Sequence, residues 1–447
     1  MDYTTRLCER LLPAIEKDVR EEIEGGPPQD ITEMEQRARQ LAQRIAVSCL
    51  QAWLEEMEGP YVASEVSCPC GGKAHYVRRR PGVLLTIVGR VHFQRAYYLC
   101  PVCHRGQYPL DERLGYEGGC LTPQLTSLVG QVGAEIPFER GQVLLEKVSG
   151  LRLSENTIRQ ATQRVGAEVM GVEKGWQEES QDEEVLREHD LLPATAKPCR
   201  LYGSLDGVIV PVEGEWRELK TGCWYREEAS GDSPKQEGEQ ERHATEISYY
   251  CDFLEAEAFG ALLWATGCQR LADQAEELVF VADGAAWIWN LVVEHFPKAV
   301  QIVDWYHATT YIAAVAQAAF GEGNAENQAW QEQVRSDLWE GRFDLVLAAF
   351  EEQRSHRQAG EAVHKALTYY TNNRERMRYA EFRAKGYRIG SGTVESGCKQ
   401  IGTQRLKVAG ARWGEEGARK TAKARAALLS GQWDTVASRL KPLPLAA

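Results

Sequence analysis

Several features that would quickly classify a chain of 447 residues are missing from this sequence. It has no run of about 18 or more apolar residues, so no membrane-spanning helix is expected. The opening "MDYTTRLCERLLPAIEKD" lacks an apolar stretch behind a basic one. No secretory leader is therefore expected, and the compartment is read as the cytoplasm. No internal repeat is found. Nor is there a basic excess: 52 Lys and Arg face 65 Asp and Glu, a formal charge of −13. Spread evenly, that charge would argue against a nucleic-acid partner.

The charge is not spread evenly. Residues 68–107 contain no acid and seven Lys or Arg, and residues 374–425 carry fourteen bases against five acids. Residues 171–190 show the reverse, with eight acids and two bases. Such asymmetry points to polyanion-facing surfaces on an otherwise acidic chain. At 43% hydrophobic and 26% charged residues, the composition is that of a soluble chain long enough for several domains. Twelve cysteines without a leader read as reduced thiols and possible metal ligands rather than a disulfide frame.

Two stretches with apolar residues at helical spacing, broken by "GGPPQD", predict a helical pair over 1–60 that serves packing or self-association. Short β-like runs follow within 61–115. There "CPCGG" (Cys68, Cys70) and "CPVCHRG" (Cys100, Cys103) form two knuckles, the zinc-ribbon arrangement. Four thiolates can close a tetrahedral structural Zn²⁺ site with Zn–S distances of about 2.3 Å. His75 and His104 are alternative ligands. Residues 116–170 read as helical, with Gly150 as a helix stop and Ser154 as the next N-cap. Ile158, Ala161 and Val165 form the buried stripe of that second helix. This leaves Asn156, Arg159, Gln160, Gln163 and Arg164 outward, the layout of a helix-turn-helix-like module that reads DNA.

Residues 171–198 read as an acidic linker. Beyond it lie three strand-like runs, the second and third separated by the polar tract "EEASGDSPKQEGEQER", expected as an exposed loop. A helix, "LVFVADG", another helix and "AVQIVDWYH" come next. The order β-β-β-α-β-α-β predicts three antiparallel strands with parallel additions, a ribonuclease-H-like core over 199–307. Residues 308–385 read as an almost continuous helical insertion, and 386–447 as the C-terminal part of the core with a basic helix. The fold class expected is therefore multidomain α+β and α/β: a ribonuclease-H-like catalytic core with a helical insertion, preceded by the N-terminal helices and the two small modules.

Asp206 lies within the first core strand, Asp283 ends the fourth, and Glu395 heads the basic segment "GSGTVESGCKQIGTQRLKVAGARW". In a ribonuclease-H-like sheet those places converge. Converging carboxylates hold two Mg²⁺ (or Mn²⁺) ions, which suits in-line phosphoryl displacement. Lys399, Arg405, Lys407 and Arg412 would grip the strand being cut. Asp304, after the fifth strand, competes with Asp283 for the second metal-binding place and ranks behind it.

At these blocks ("YYLCPVCHRG", "SLDGV", "VADGA", "DWYH", "GSGTVESGCKQIG") the chain resembles the DDE transposases of bacterial insertion sequences. The likeness is greatest to the ISKra type, related to the Mutator-like superfamily. The resemblance implies Asp206, Asp283 and Glu395 as the catalytic triad, and Asp304 and His307 as active-site-adjacent members of an Asp-x-x-His signature. It implies double-stranded DNA as partner, both element ends and target, and a homodimer or higher oligomer. Two further readings stay open: a domesticated, non-catalytic DNA-binding regulator, and a metal-dependent nuclease without strand transfer.

Overall fold

The computed structural model describes residues 2–59, 63–116, 120–229, 242–356 and 358–444. The chain divides into two compact units, Met1–Val165 with Asp434–Ala447, and Gly166–Trp433.

In the first unit, helices Tyr3–Glu24 and Ile31–Glu58 begin at Asp2 and Asp30, whose carboxylates accept the N–H groups of Thr5 and Glu33. The Gly-Pro break between them lets the second helix fold back, and Arg37 and Arg44 both pair with Glu22. A long antiparallel hairpin follows, made of β2 (Lys73–Thr86) and β3 (Gly89–Leu99). Short strands β1 (Glu65–Ser67), β4 (Gly106–Gln107) and β5 (Cys120–Leu121) extend it, and Leu443–Pro444 pairs with β5. Strand alternation buries Val91, Phe93, Ala96 and Tyr98 on β3.

Helices Pro123–Glu135 and Phe138–Ser149 come next, and helix Glu155–Glu179 contributes residues to both units. Gly150 ends its helix in the left-handed conformation at φ 72°, and the Ser154 hydroxyl accepts the Thr157 N–H. Ile158, Ala161 and Val165 are fully buried, as their spacing predicts.

The second unit is built on a five-stranded sheet of β6 (Arg200–Val212), β7 (Glu215–Ala229), β8 (Arg242–Asp252), β9 (Glu277–Ala282) and β10 (Val300–Val303). The strand order is β10-β9-β6-β7-β8. β6, β7 and β8 pair antiparallel, whereas β9 joins β6, and β10 joins β9, in parallel. Parallel additions need crossovers, supplied by helices Ala256–Cys268 and Ala286–His295. Trp224, Phe280 and Phe296 pack edge to face and tilted at 5.4–5.6 Å in the core. Residues 230–241, most of the expected polar loop, lie outside the described residues.

Three expectations change on contact with this unit. The insertion is not one near-continuous helix but a set of short ones: Trp305–Phe320, Ala325–Trp339, Phe343–Glu352, Gly360–Asn373 and Tyr379–Ala384. Glycines at 321, 323 and 341, all at positive φ, break the run. The Tyr370 hydroxyl donates to the Ala308 carbonyl and Tyr379 to that of Val303, tying these helices to the end of β10.

Residues 171–198, acidic enough to read as a linker, carry the end of helix Glu155–Glu179 and the helix Glu183–Leu191. Nor is helix Glu415–Leu429 simply a basic surface. Lys423, 1% exposed, pairs with Glu173 at 2.5 Å and Asp252 at 3.1 Å, and Arg419 also reaches Asp252. Part of the local basic surplus is consumed inside the protein.

Candidate functional site

In the first unit, the turns flanking the long hairpin carry the cysteines. Gly71 at φ 86° and His104 at φ 56° bend the two knuckles, and Cys68 N–H and Cys100 N–H donate to the Gly72 and Arg105 carbonyls. The four thiols all lie within 4.8 Å of one another, with Cys68–Cys103 at 3.6 Å and Cys70–Cys100 at 3.7 Å. Among the described residues no other group of three or more His, Cys, Asp or Glu closes this tightly. The Cys103 and Val102 N–H groups aimed at Cys100 pull its thiol down to about 7, whereas, against the Cys70 N–H, burial and the neighbouring thiols push that of Cys68 up to about 12. The cluster could hold a metal such as zinc. Neither alternative histidine joins it; His75 faces Glu65 at 3.4 Å.

In the second unit, Asp206 sits midway along β6, and its Oδ1 accepts the Gly207 N–H at 2.7 Å. Asp283 follows β9 directly, where its Oδ1 accepts the Ala285 N–H at 2.9 Å. Glu395 lies in the short helix Gly392–Gly397, and its Oε1 accepts the Ser391 hydroxyl at 2.8 Å. Burial raises the Asp206 carboxyl above the ordinary range. The Gly207 N–H and the Cys398 thiol oppose the shift, while the negative charges of Asp283 and Glu395 add to it. Acids from three distant stretches thus share one electrostatic neighbourhood. They stand farther apart than the cysteines, since their oxygens do not all fall within 4.8 Å.

The glycines of this block let it lie flat on the sheet. A Cβ on Gly402 would fall 2.3 Å from Val208, and one on Gly397 would fall 2.6 Å from Tyr249. Between them the backbone relaxes into a π-helical segment, Cys398–Leu406, a form often found at functional sites. It buries Cys398 next to Asp206, whose charge, after burial, pushes the thiol up.

Asp304 is 1% exposed, and both its carboxylate oxygens are taken by backbone. Oδ1 accepts His307 N–H, capping helix Trp305–Phe320, and Oδ2 accepts Ser391 N–H at 2.7 Å. The Asp-x-x-His spacing is therefore N-cap to third helical residue. Asp304 thus joins the start of its helix to the segment that carries Glu395. The half-buried His307 ring packs 5.9–6.0 Å from Tyr369 and Tyr311.

A cleft of ≈ 660 Å³ opens beside Asp283, with Trp289, Tyr311, Lys365, Tyr369 and Arg376 among its lining residues and no carboxylate among them. Tyr311 and Tyr369 stack at 4.0 Å, and after burial the Asp283 charge contributes to holding their hydroxyls protonated. Gly284 is required here, because a Cβ would fall 2.0 Å from the Tyr369 ring. Sequence reading missed Ser391, Cys398, Tyr311 and Tyr369. For Cys398 a signal existed, its place one helical turn after Glu395.

The basic residues divide. Lys399, Lys407 and Arg412 are exposed, with Lys407 5.0 Å over the Trp216 ring. Arg405, in contrast, is 2% exposed, and burial together with Arg425 pushes its pKa down to about 10. It packs over Trp413 instead of offering its charge to a strand. In the first unit Asn156 and Arg159 are exposed, and Gln160, Gln163 and Arg164 are half-buried. Arg159 is braced by the carbonyls of Asn156 and Gln163.

No protein-family model matches the chain, and no curated protein matches it. Among solved structures, it has a distant likeness to a Drosophila P element transposase strand transfer complex. The identity is 9% over 74% of this chain and 85% of that one, with a TM-score of 0.23. A likeness that slight carries no argument. Among the described residues no helix is long and apolar enough to cross a membrane.

Proposed function

We propose that the chain is a DNA transposase with a ribonuclease-H-like catalytic core. It binds the terminal inverted repeats of its own element, hydrolyses DNA there to free 3′-hydroxyls, and joins those ends to target DNA by transesterification. One observation carries the reading: the negative charges of Asp283 and Glu395 both act on Asp206, although 77 residues separate Asp206 from Asp283 and 112 separate Asp283 from Glu395. The sheet supports it, with three antiparallel strands, two parallel additions on the β6 side, and an acid on each expected element.

The donor set suits hard divalent cations, Mg²⁺ or Mn²⁺. It is all carboxylate, and its mutual repulsion is relieved by positive charge. When bound, two such ions activate the attacking oxygen and stabilise the leaving one. The protein's own contribution is placement. β6 and β9 fix Asp206 and Asp283 on a rigid sheet, while the π-helical segment keeps Glu395 against it. Lys399, Lys407 and Arg412 lie beyond Glu395 and hold phosphates of the strand, a role Arg405 does not share. Asn156, Arg159, Gln160, Gln163 and Arg164 read the element end, and Cys68, Cys70, Cys100 and Cys103 hold a structural Zn²⁺. Two ends must be held together, so the working form is a dimer or larger.

The test is cleavage of a duplex carrying the DNA that flanks this reading frame, with Mg²⁺. Asp206→Asn and Glu395→Gln should each lose about a thousandfold or more in strand cleavage, a barrier rise of about 4 kcal/mol, while still binding the duplex. Cleavage that survives both substitutions would sink the proposal. Binding with no cleavage by the unaltered protein would favour a regulator, and cleavage without joined products a nuclease.

A further inference from the structure

The segment between the helical insertion and Glu395 is held at nearly every residue. The Tyr387 hydroxyl donates to Glu277 at 2.9 Å, Arg388 N–H to the Tyr202 hydroxyl at 3.2 Å, and Trp305 N–H to the Ile389 carbonyl at 2.9 Å. The strap ends at Ser391, 5% exposed, whose N–H donates to Asp304 and whose hydroxyl donates to Glu395. On its other side Asp304 donates its own N–H to the carbonyl of Ala282, the residue before Asp283, at 2.7 Å. A short series of hydrogen bonds therefore runs from the backbone at Asp283 through Asp304 and Ser391 to the Glu395 carboxylate.

From this we infer that Ser391 is the positioning residue for Glu395, and that Asp304 acts through Ser391 to set the spacing between Glu395 and Asp283. The inference rests on the reading of Glu395 as a cation-holding carboxylate. Free Glu side chains sample several rotamers, and Glu395 is on an exposed position of a six-residue helix. Without a donor at Ser391 its carboxylate would have to be ordered by each arriving cation. Donors that orient a metal-holding carboxylate from outside contribute about 10–100-fold in metal affinity or activity. Each Asp304 oxygen accepts an N–H group whose position is fixed by a helix start or by the strap.

The experiment uses the full chain. In Ser391→Ala, the Mg²⁺ concentration for half-maximal cleavage should rise about tenfold, more than kcat falls. Mn²⁺ binding, followed by the paramagnetic resonance of the free ion, should weaken by a similar factor. Ser391→Thr, which keeps the hydroxyl, should restore both. Asp304→Asn turns an amide toward one of the two N–H groups and should shift Mn²⁺ binding in the same direction. Melting curves for all variants identify any that fail to fold. A Ser391→Ala protein that folds and binds Mn²⁺ as the unaltered protein does overturns the inference, and inactivity of Glu395→Gln would still leave the proposed function standing. A fully active Glu395→Gln defeats that function itself.

Discussion

Two groups of acids in the same α/β unit are treated in opposite ways. Glu173 and Asp252 are buried but close on Lys423. Burial works against the charge of that lysine, and the two carboxylates override it and hold its pKa up. At Asp206, by contrast, the charges of Asp283 and Glu395 are both negative. The first group carries its counter-ion in the sequence. The second is arranged as though the counter-ion arrives from solution. A buried ion cluster that balances itself is architecture, whereas the half-buried Asp206 and Asp283 with the exposed Glu395 leave a repulsion that a cation can relieve.

The contrast can be broken at three points. The largest effect is expected at the cysteine knuckles, where four thiols also lack an internal cation. Cys100→Ser should abolish stoichiometric zinc, measured by elemental analysis, and melt the 65–107 hairpin. Protein that never contains zinc would show that the knuckles close without it. Next is the self-balanced group. Lys423→Ala leaves the buried Glu173 without its lysine, while Arg419 still reaches Asp252, and should cost about 3–5 kcal/mol in chemical denaturation, whereas a neutral outcome would make the pair incidental.

The smallest effect has the opposite sign. Because the Asp206 carboxyl is raised in the folded chain, its ionisation opposes folding. The metal-free protein should therefore lose stability as pH rises from the ordinary carboxylate range through the raised value, and Mg²⁺ should return it. Asp206→Asn should accordingly raise the metal-free melting temperature by roughly 1–3 °C. A fall would mean that the charge at the half-buried Asp206 does not oppose folding.

The sequence made some of this plain and concealed the rest for identifiable reasons. β-branched runs marked the strands that carry Asp206 and Asp283, and the Gly150–Ser154 break marked two helix ends, because those signals are local. The fates of Arg405 and Lys423 were hidden because charge counts do not say which side of a helix faces inward. The partner of Lys423, Glu173, is 250 residues away, in a stretch whose acidity mimics a linker. The helix-capping role of Asp304 was hidden because its partners are N–H groups, which almost every residue has and no composition reveals. Ser391 left no signal apart from its neighbours.

The tether from Tyr379 to Val303 and the strap from Tyr387 to Ser391 give the helical insertion a mechanical duty. The insertion also shares one core with the sheet, where Phe350, Val363, Tyr370 and Tyr379 pack with Phe280 and Val303. Replacing 308–385 by a short flexible bridge would strip the sheet of that cover and should cost the fold of the unit, not only the position of one acid.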